Sequence, residues 1–204
     1  MDALLPLISF AFVSSITPGP NNIMLTSSGI WFGFQRSVPH MLGITFGFGV
    51  LLALCAFGMG AVVIALPQLV LLLKAAGSAY LLYLAWQLRA MRVAGTAAGT
   101  GEAAGGGRPM SFWAAAVFQF ANPKAWVMAV TGASAFMPML HNHPVWLAIL
   151  IYCLVFCGIN LPCVSVWAGA GAMLRRYLER PLWRSVFAVT MILLTVYSAL
   201  AIWL

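Results

Sequence analysis

Long apolar stretches without a charged side chain alternate with short polar breaks along this chain. A helix that crosses a bilayer needs about 20 mostly apolar residues, and clusters of Pro, Gly and Asn mark the places where such helices end. On these two criteria the pattern predicts six membrane-spanning helices, which we call spans 1 to 6. Their predicted ranges are 4–32, 40–65, 69–90, 111–137, 145–172 and 184–204.

Two of these spans contain residues that oppose a helix near their middle. Span 1 carries TPGPNN, Thr17–Asn22, and span 4 carries FANPKAW, Phe120–Trp126. A proline lacks the backbone N–H and clashes with the carbonyl four residues earlier, so the helix has to open. The sequence therefore predicts a broken helix in each half of the chain. Proline kinks that neighbouring helices compensate are the purely structural alternative.

The two breaks also predict how the chain is organised. Spans 1 and 4 are three helices apart and therefore run in opposite directions, and matched broken helices in opposed halves are typical of inverted-repeat transporters with a site at the midplane. The predicted fold is an all-α integral membrane protein with six transmembrane helices in a 3+3 inverted repeat. Its predicted parts are a first three-helix repeat at 1–93, a cytoplasmic Gly/Ala-rich linker at 94–110 and a second repeat at 111–204.

Charged residues are scarce and unevenly placed. They make up 6% of this chain, and 63% of its residues are hydrophobic, whereas a soluble domain carries about 25% charged residues. All the arginines fall on one side of the predicted spans. By the positive-inside rule that side is cytoplasmic, so both termini should lie outside. The net charge of +7 is thus a signal of orientation, and we expect no soluble face that could bind nucleic acid.

Side chains that commonly form metal or enzymatic sites are few. His141 and His143 do not suffice for a metal site, no cofactor is expected, and no nucleophile–base or carboxylate pair can be placed in one enzymatic site. A membrane thiol–disulfide carrier is one alternative, because Cys55 could face a cysteine of span 5. A membrane assembly subunit without a substrate is the other, although it leaves the paired breaks unexplained.

Three motifs resemble, in their order and depth, those of the LysE/RhtB superfamily of amino-acid exporters. They are TPGPNN at 17–22, KAAGSAYLLYLAW at 74–86 and NPK at 122–124, and the likeness covers the whole chain. The sequences around the first and third motifs are most similar to the cysteine/O-acetylserine exporter branch. The resemblance implies a secondary active exporter of an amino acid or close derivative in the bacterial inner membrane, driven by the proton-motive force. It leaves the exported amino acid and the oligomeric state open, with a homodimer among the alternatives.

An amino-acid substrate gives the break in span 1 a chemical purpose. An opened helix frees carbonyls before the break, which suit an ammonium group, and it presents N–H groups after the break, which suit a carboxylate. An α-amino acid carries both charges on one carbon. The candidate substrate-binding residues of span 1 are Thr17, Pro18, Gly19, Pro20, Asn21 and Asn22.

Lys124 in span 4, with Asn122 and Pro123, is the second half of this predicted site. A lysine near the bilayer centre costs about 2.5–3.5 kcal/mol, so its ammonium should face a cavity or a partner. That partner could be the substrate carboxylate or, as a structural alternative, the free carbonyls around Asn122 and Pro123. Lys74 and Tyr80 in span 3 are further candidates. Lys74 could instead reach the outer interface, and Tyr80 could merely pack.

Proton coupling would need an unusual group in this chain. Proton relays in membranes usually use buried Asp, Glu or His, but Asp2, Glu102 and Glu179 all lie outside the predicted spans. Lys124 is the first candidate, because its protonation would respond to an arriving carboxylate. His40, at the cytoplasmic end of span 2, is the second, because an imidazole titrates near neutral pH. An interfacial loop histidine is the structural alternative for His40.

Overall fold

Most of the described helices begin at a proline or directly after a proline or a glycine. The computed structural model describes residues 4–59, 108–177 and 180–201 and, between the first two ranges, residues 68, 71–72, 75, 78–79, 82–83 and 85–86. The regular structure of these described residues is entirely helical. The helices are α1 Leu4–Ile16, α2 Pro20–Phe32, α3 Phe34–Leu54, α4 Phe112–Ala121, α5 Pro123–Phe136, α6 Val145–Leu174 and α7 Pro181–Ala201.

These helices agree with most of the predicted spans. α1 and α2 together cover span 1, and α4 and α5 together cover span 4, each pair with its break at the predicted motif. α6 and α7 closely match spans 5 and 6. The described residues within span 3 are helical, but the ends of that span and most of the predicted linker lie outside the described residues. The prediction of two broken helices is confirmed.

Span 2 begins earlier than predicted, because Pro39 does not mark the start of its helix. α3 begins at Phe34, and only Gly33 separates it from α2. The φ of Gly33 is 80°, a left-handed conformation that favours glycine, so a single residue turns the chain. Pro39 lies inside α3, where it removes one backbone hydrogen bond in an early turn. α3 continues into a π-helical turn at Cys55–Met59, and the predicted end at residue 65 lies outside the described residues.

Two of the described helices are individually long and apolar enough to cross a bilayer. They are Phe34–Gly58 and Val145–Leu174, with mean hydropathies of 2.1 and 2.4. α1 and α4 are shorter apolar helices, as expected for halves of a broken span. The described residues are therefore those of an apolar helical protein, whereas the count of six spans and the 3+3 repeat stay predictions.

α6 lies at the centre of the described helices. It packs against α1, α2 and α3, and α3 in turn packs against α4. Gly29 of α2 touches the carbonyl of Ala168, and Gly43 of α3 touches the carbonyl of Phe112, so closely that an added methyl group would overlap the backbone. Small residues permit this approach of helices in membranes. Each broken span is thus held against an unbroken helix.

An aromatic cluster joins α1, α3 and α6 next to the breaks. The ring of Phe156 meets those of Phe10, Phe48 and Tyr152 edge-on, with centroid distances of 5.9, 5.4 and 5.7 Å. Edge-to-face contacts are a preferred geometry of aromatic pairs. Since these four rings come from three helices, they fix the position of α6 relative to α1 and α3.

Candidate functional site

The first break separates α1 from α2 by three residues, Thr17, Pro18 and Gly19. Gly19 is extended, with φ −176° and ψ 178°, and Pro20 is the first residue of α2. A proline is favoured at this position, because the missing N–H would have no helical partner. Thr17 and Pro18 are exposed, whereas Gly19 and Pro20 are buried. The break therefore presents one of its sides to open space.

Side chains satisfy the carbonyls that the first break frees. The Nδ2 atom of Asn22 donates to Ser15 O at 2.9 Å and to Thr17 O at 2.7 Å. The indole Nε1 of Trp167, on α6, donates to Ile16 O at 3.1 Å. A buried carbonyl without a partner is costly. These three carbonyls are therefore bonded before any ligand arrives, and the sequence had suggested them for a substrate ammonium.

Lys124 reaches from the second break to the first. Its Nζ atom donates to Thr17 O at 2.8 Å, to Thr17 Oγ1 at 2.9 Å and to Pro18 O at 3.3 Å. These acceptors differ from the carbonyls around Asn122 and Pro123 that the sequence suggested as an alternative. The three acidic residues of the chain are outside the described residues. Within the described part, the ammonium is hydrogen-bonded but faces no carboxylate.

The start of α2 carries backbone N–H groups that have no partner among the described residues. Gly19 is the N-cap, and no side chain caps this helix. The N–H of Ile23 donates to Gly19 O at 3.0 Å, and Pro20 has no N–H, but the N–H groups of Asn21 and Asn22 have no described acceptor. A helix N-terminus in this condition carries partial positive charge and suits an anion.

The second break consists of one residue, Asn122, between α4 and α5. Its Oδ1 atom accepts from the backbone N–H of Lys124 at 3.1 Å. Its carbonyl accepts from the N–H groups of Ala125 and Trp126 at 3.0 and 3.3 Å. Pro123, the first residue of α5, has no N–H to satisfy. The start of α5 is therefore fully capped, and the cap fixes where the Lys124 side chain leaves the helix.

A pair of amide side chains connects the two breaks. Asn21 Nδ2 donates to Gln119 Oε1 at 2.8 Å, and Gln119 Nε2 donates in return to Asn21 Oδ1 at 3.2 Å. Gln119 also donates to Ala115 O at 2.9 Å and is completely buried. Gln119 and Trp167 are site residues that were not predicted from the sequence. For Gln119 a signal existed, since a polar residue inside an apolar span, three positions before Asn122, needs a partner.

A cleft lies between the two breaks. It contains about 320 Å³ of empty space, its open mouth included. α1, both breaks, α2, α3, α5 and α6 all contribute to its walls. The lining residues are Ser14, Ser15, Gly19, Asn21, Asn22, Phe48, Asn122, Lys124, Ala125, Met128, Asn160 and Val164. The structure therefore brings five of the predicted site residues around one cavity, namely Gly19, Asn21, Asn22, Asn122 and Lys124.

Four predicted site residues lie at the breaks but do not line the cleft, namely Thr17, Pro18, Pro20 and Pro123. Three further predicted site residues have no described place at it. Lys74 and Tyr80 lie outside the described residues. His40 is on α3 and only 2% exposed, but it does not line the cleft. Neither of its ring nitrogens has a hydrogen-bond partner within the described part of the chain. The hypotheses about these three residues stay predictions.

Comparisons with known proteins match nearly the whole chain to one family. A family model described as "LysE type translocator" matches residues 12–201. A cysteine/O-acetylserine efflux protein of Escherichia coli strain K12 is 32% identical over 195 residues, which are 95% of this chain and 94% of the relative. One of Klebsiella pneumoniae subsp. pneumoniae is 32% identical over 169 residues, 83% of this chain and 82% of the relative. No solved structure gives a significant match.

Proposed function

Because the chain belongs to the LysE type translocator family, we propose that it exports a small neutral amino acid or a close derivative across the bacterial inner membrane. Relatives named cysteine/O-acetylserine efflux proteins make cysteine and O-acetylserine the first substrates to test. A translocator moves its substrate unchanged, so no enzymatic step is part of this proposal.

The position of the Lys124 ammonium is the observation that supports this function best. It lies at the cleft, bonded to Thr17 and Pro18, and its Nζ atom is 3.0 Å from the point where a Cβ on Gly19 would be. A positive side chain and an uncapped helix start therefore lie side by side, and both attract an anion. We assign this place to the substrate carboxylate. It would replace the longest bond of the ammonium, the one to Pro18 O.

The predicted architecture belongs to the same proposal. Six spans in a 3+3 inverted repeat, divided at 94–110, would place the two breaks at the same depth from opposite directions. Both termini would then be periplasmic. A reporter fused after Leu204 tests this orientation, since alkaline phosphatase is active outside and a fluorescent protein inside. A cytoplasmic C-terminus would contradict the six-span arrangement and the repeat with it.

Export itself can be measured directly. Cells that overproduce the protein are loaded with dipeptides that release a panel of amino acids, and the appearance of each amino acid in the medium is followed. Faster efflux of cysteine or O-acetylserine than from cells without the protein would support the proposal. Equal efflux of every member of the panel would contradict it and would favour an assembly role without a substrate.

Proton coupling through Lys124 is the proposed driving mechanism. No acid is present among the described residues, and the ammonium is at the cleft where the carboxylate would arrive and leave. A lysine that releases its proton as the substrate leaves would make export a substrate–proton exchange. In proteoliposomes, Lys124→Gln should keep no flux driven by an imposed pH gradient. A response that persists would move the proton to another group, and His40→Gln is the next variant to measure.

A thiol–disulfide carrier remains the second candidate on one observation. Cys55, Cys153 and Cys157 belong to the same apolar cluster, and all the cysteines are free thiols. The geometry favours packing, because the thiols of Cys153 and Cys157 approach backbone carbonyls of α3 at 3.8 and 3.6 Å. A cysteine-free variant that keeps full export activity would eliminate the carrier function.

A further inference from the structure

Asn160 carries a buried side-chain acceptor in the wall of the cleft. It lies on α6, is 5% exposed and lines the cleft wall. Its Nδ2 atom donates to Ser15 Oγ, in the last turn of α1, at 3.2 Å. Its Oδ1 atom has no hydrogen-bond partner among the described residues. A buried acceptor of this kind is rare in folded proteins and calls for an explanation.

The other amide and ammonium groups of the cleft are already engaged. Asn21 is paired with Gln119, Asn22 is bonded to the carbonyls of the first break, and Asn122 caps α5. Lys124 has three acceptors. Within the described lining, the Oδ1 atom of Asn160 is the buried amide oxygen that lacks a hydrogen-bond partner.

The charges of an amino acid decide which of its groups fits this acceptor. The ammonium of Lys124 repels a second ammonium and attracts a carboxylate. It also occupies Thr17 O, one of the carbonyls that could have held a substrate ammonium. A zwitterion in the cleft is then oriented with its carboxylate towards Lys124 and its ammonium away from it. The neutral acceptor at Asn160 is available for that ammonium.

We propose that Asn160 Oδ1 binds the α-ammonium group of the exported amino acid. This assignment rests on the proposed function and adds the second anchor of the zwitterion. Side-chain donors differ among small amino acids, but the α-ammonium is common to all of them. A site of this form accepts a range of small neutral amino acids and rejects carboxylic acids that lack the amino group.

The test compares a ligand that has the ammonium with one that lacks it. Purified protein in detergent is titrated with L-cysteine and with 3-mercaptopropionate, which is cysteine without its amino group, both kept reduced. The wild-type protein should prefer cysteine by about tenfold or more, as expected for a hydrogen bond to a charged group. Asn160→Leu should weaken cysteine binding by a similar factor and leave the affinity for 3-mercaptopropionate within about twofold of the wild-type value. A direct contact between Asn160 and the amino group predicts this coupling.

A second variant and a control separate a contact from a structural role. Asn160→Asp offers only acceptors, so it should keep or increase the preference for cysteine. Ser165→Ala removes a hydroxyl group from the same helix. Among the described residues this hydroxyl bonds to Leu161 O alone, and Ser165 does not line the cleft. Ser165→Ala should change neither affinity. Circular dichroism and gel filtration verify that each variant is folded.

The other outcomes contradict either the assignment of Asn160 or the proposed function. If Asn160→Leu weakens both ligands equally or neither of them, or if Asn160→Asp loses the preference for cysteine, the assignment is wrong and the proposed function is untouched. Wild-type protein that binds neither cysteine nor any other amino acid of the export panel would overturn the proposed function, and the assignment of Asn160 with it.

Discussion

Three residues, Thr17–Gly19, interrupt span 1, whereas a single residue, Asn122, interrupts span 4. Both breaks free carbonyls, and in both a tryptophan indole bonds to one of them. Trp167 donates to Ile16 O at 3.1 Å, and Trp126 donates to Phe120 O at 2.9 Å. An opened helix can persist in an apolar environment only when its backbone groups find partners. The two breaks meet this requirement with the same kind of side chain.

The breaks differ in how the first N–H groups of the following helix are bonded. Asn122 caps α5 with its side chain and its carbonyl, but no side chain caps α2 behind Gly19. The cap at the second break therefore fixes the point where the Lys124 side chain leaves α5. At the first break, the N–H groups at the start of α2 have no described partner and lie beside the Lys124 ammonium. This difference supports the proposal that the second break positions Lys124 and that the first break binds the substrate.

The largest effect on export should follow from removal of the first break. Pro18, Gly19 and Pro20 replaced together by Ala would let α1 run into α2, because all three positions could then be helical. We expect normal insertion and no measurable export. Pro39→Ala is the matched control, since Pro39 lies inside α3 and not at a break. Normal efflux from the triple variant would show that the first break does not bind substrate.

Removal of the connection between the breaks should have nearly the same effect. Lys124→Met nearly keeps the length of the side chain and deletes its charge, which removes the proposed partner of the substrate carboxylate. Export should fall by about 100-fold, the range expected for two lost charge-assisted bonds, while the amount of protein in the membrane stays equal or rises. Lys124→Arg should also be poor, because a planar guanidinium does not replace a compact ammonium. Unchanged efflux kinetics in Lys124→Met would make the lysine structural.

A smaller change shifts the ammonium without deleting it. A Cβ on Gly19 would lie 2.7 Å from Lys124 Cδ and 3.0 Å from its Nζ, so Gly19→Ala should push this flexible side chain off Thr17. We expect roughly a tenfold rise in the half-saturating substrate concentration. Gly158→Ala is the control, because a Cβ at Gly158, on α6, meets no atom within 4 Å. Equal kinetics for the two variants would show that the contact is unimportant.

The smallest effect is expected at the second break, where Asn122 caps α5. Asn122→Ala removes the cap of α5 and should lower the stability of the folded protein by about 0.5–2 kcal/mol. Ser111→Ala removes the cap of α4, where Ser111 Oγ accepts from Ala114 N at 3.2 Å, and serves as the comparison. Thermal unfolding in detergent measures both. Export should decline a few-fold only in Asn122→Ala, since only that cap orients Lys124. An equal decline in both variants would contradict the supporting role.

Local features of the sequence determined the helices and the positions of the breaks. The apolar runs and the prolines at 18, 20 and 123 act within one or two helical turns, so they can be interpreted without the tertiary structure. The same reasoning was wrong at the start of span 2. There a single glycine in a left-handed conformation allowed α3 to begin at Phe34, and Pro39 was accommodated inside the helix.

Only the tertiary structure decided which groups share the cleft. Lys124 bonds to Thr17, 107 positions away, and Asn21 bonds to Gln119, 98 positions away. Asn160 reaches Ser15 over 145 positions. No periodicity or motif specifies such pairs, because they depend on how α6 and α5 pack against the ends of α1. The sequence determined where the backbone opens, and the packing of distant helices decided that the carbonyl side is closed by Asn22, Trp167 and Lys124 while the N–H side stays open.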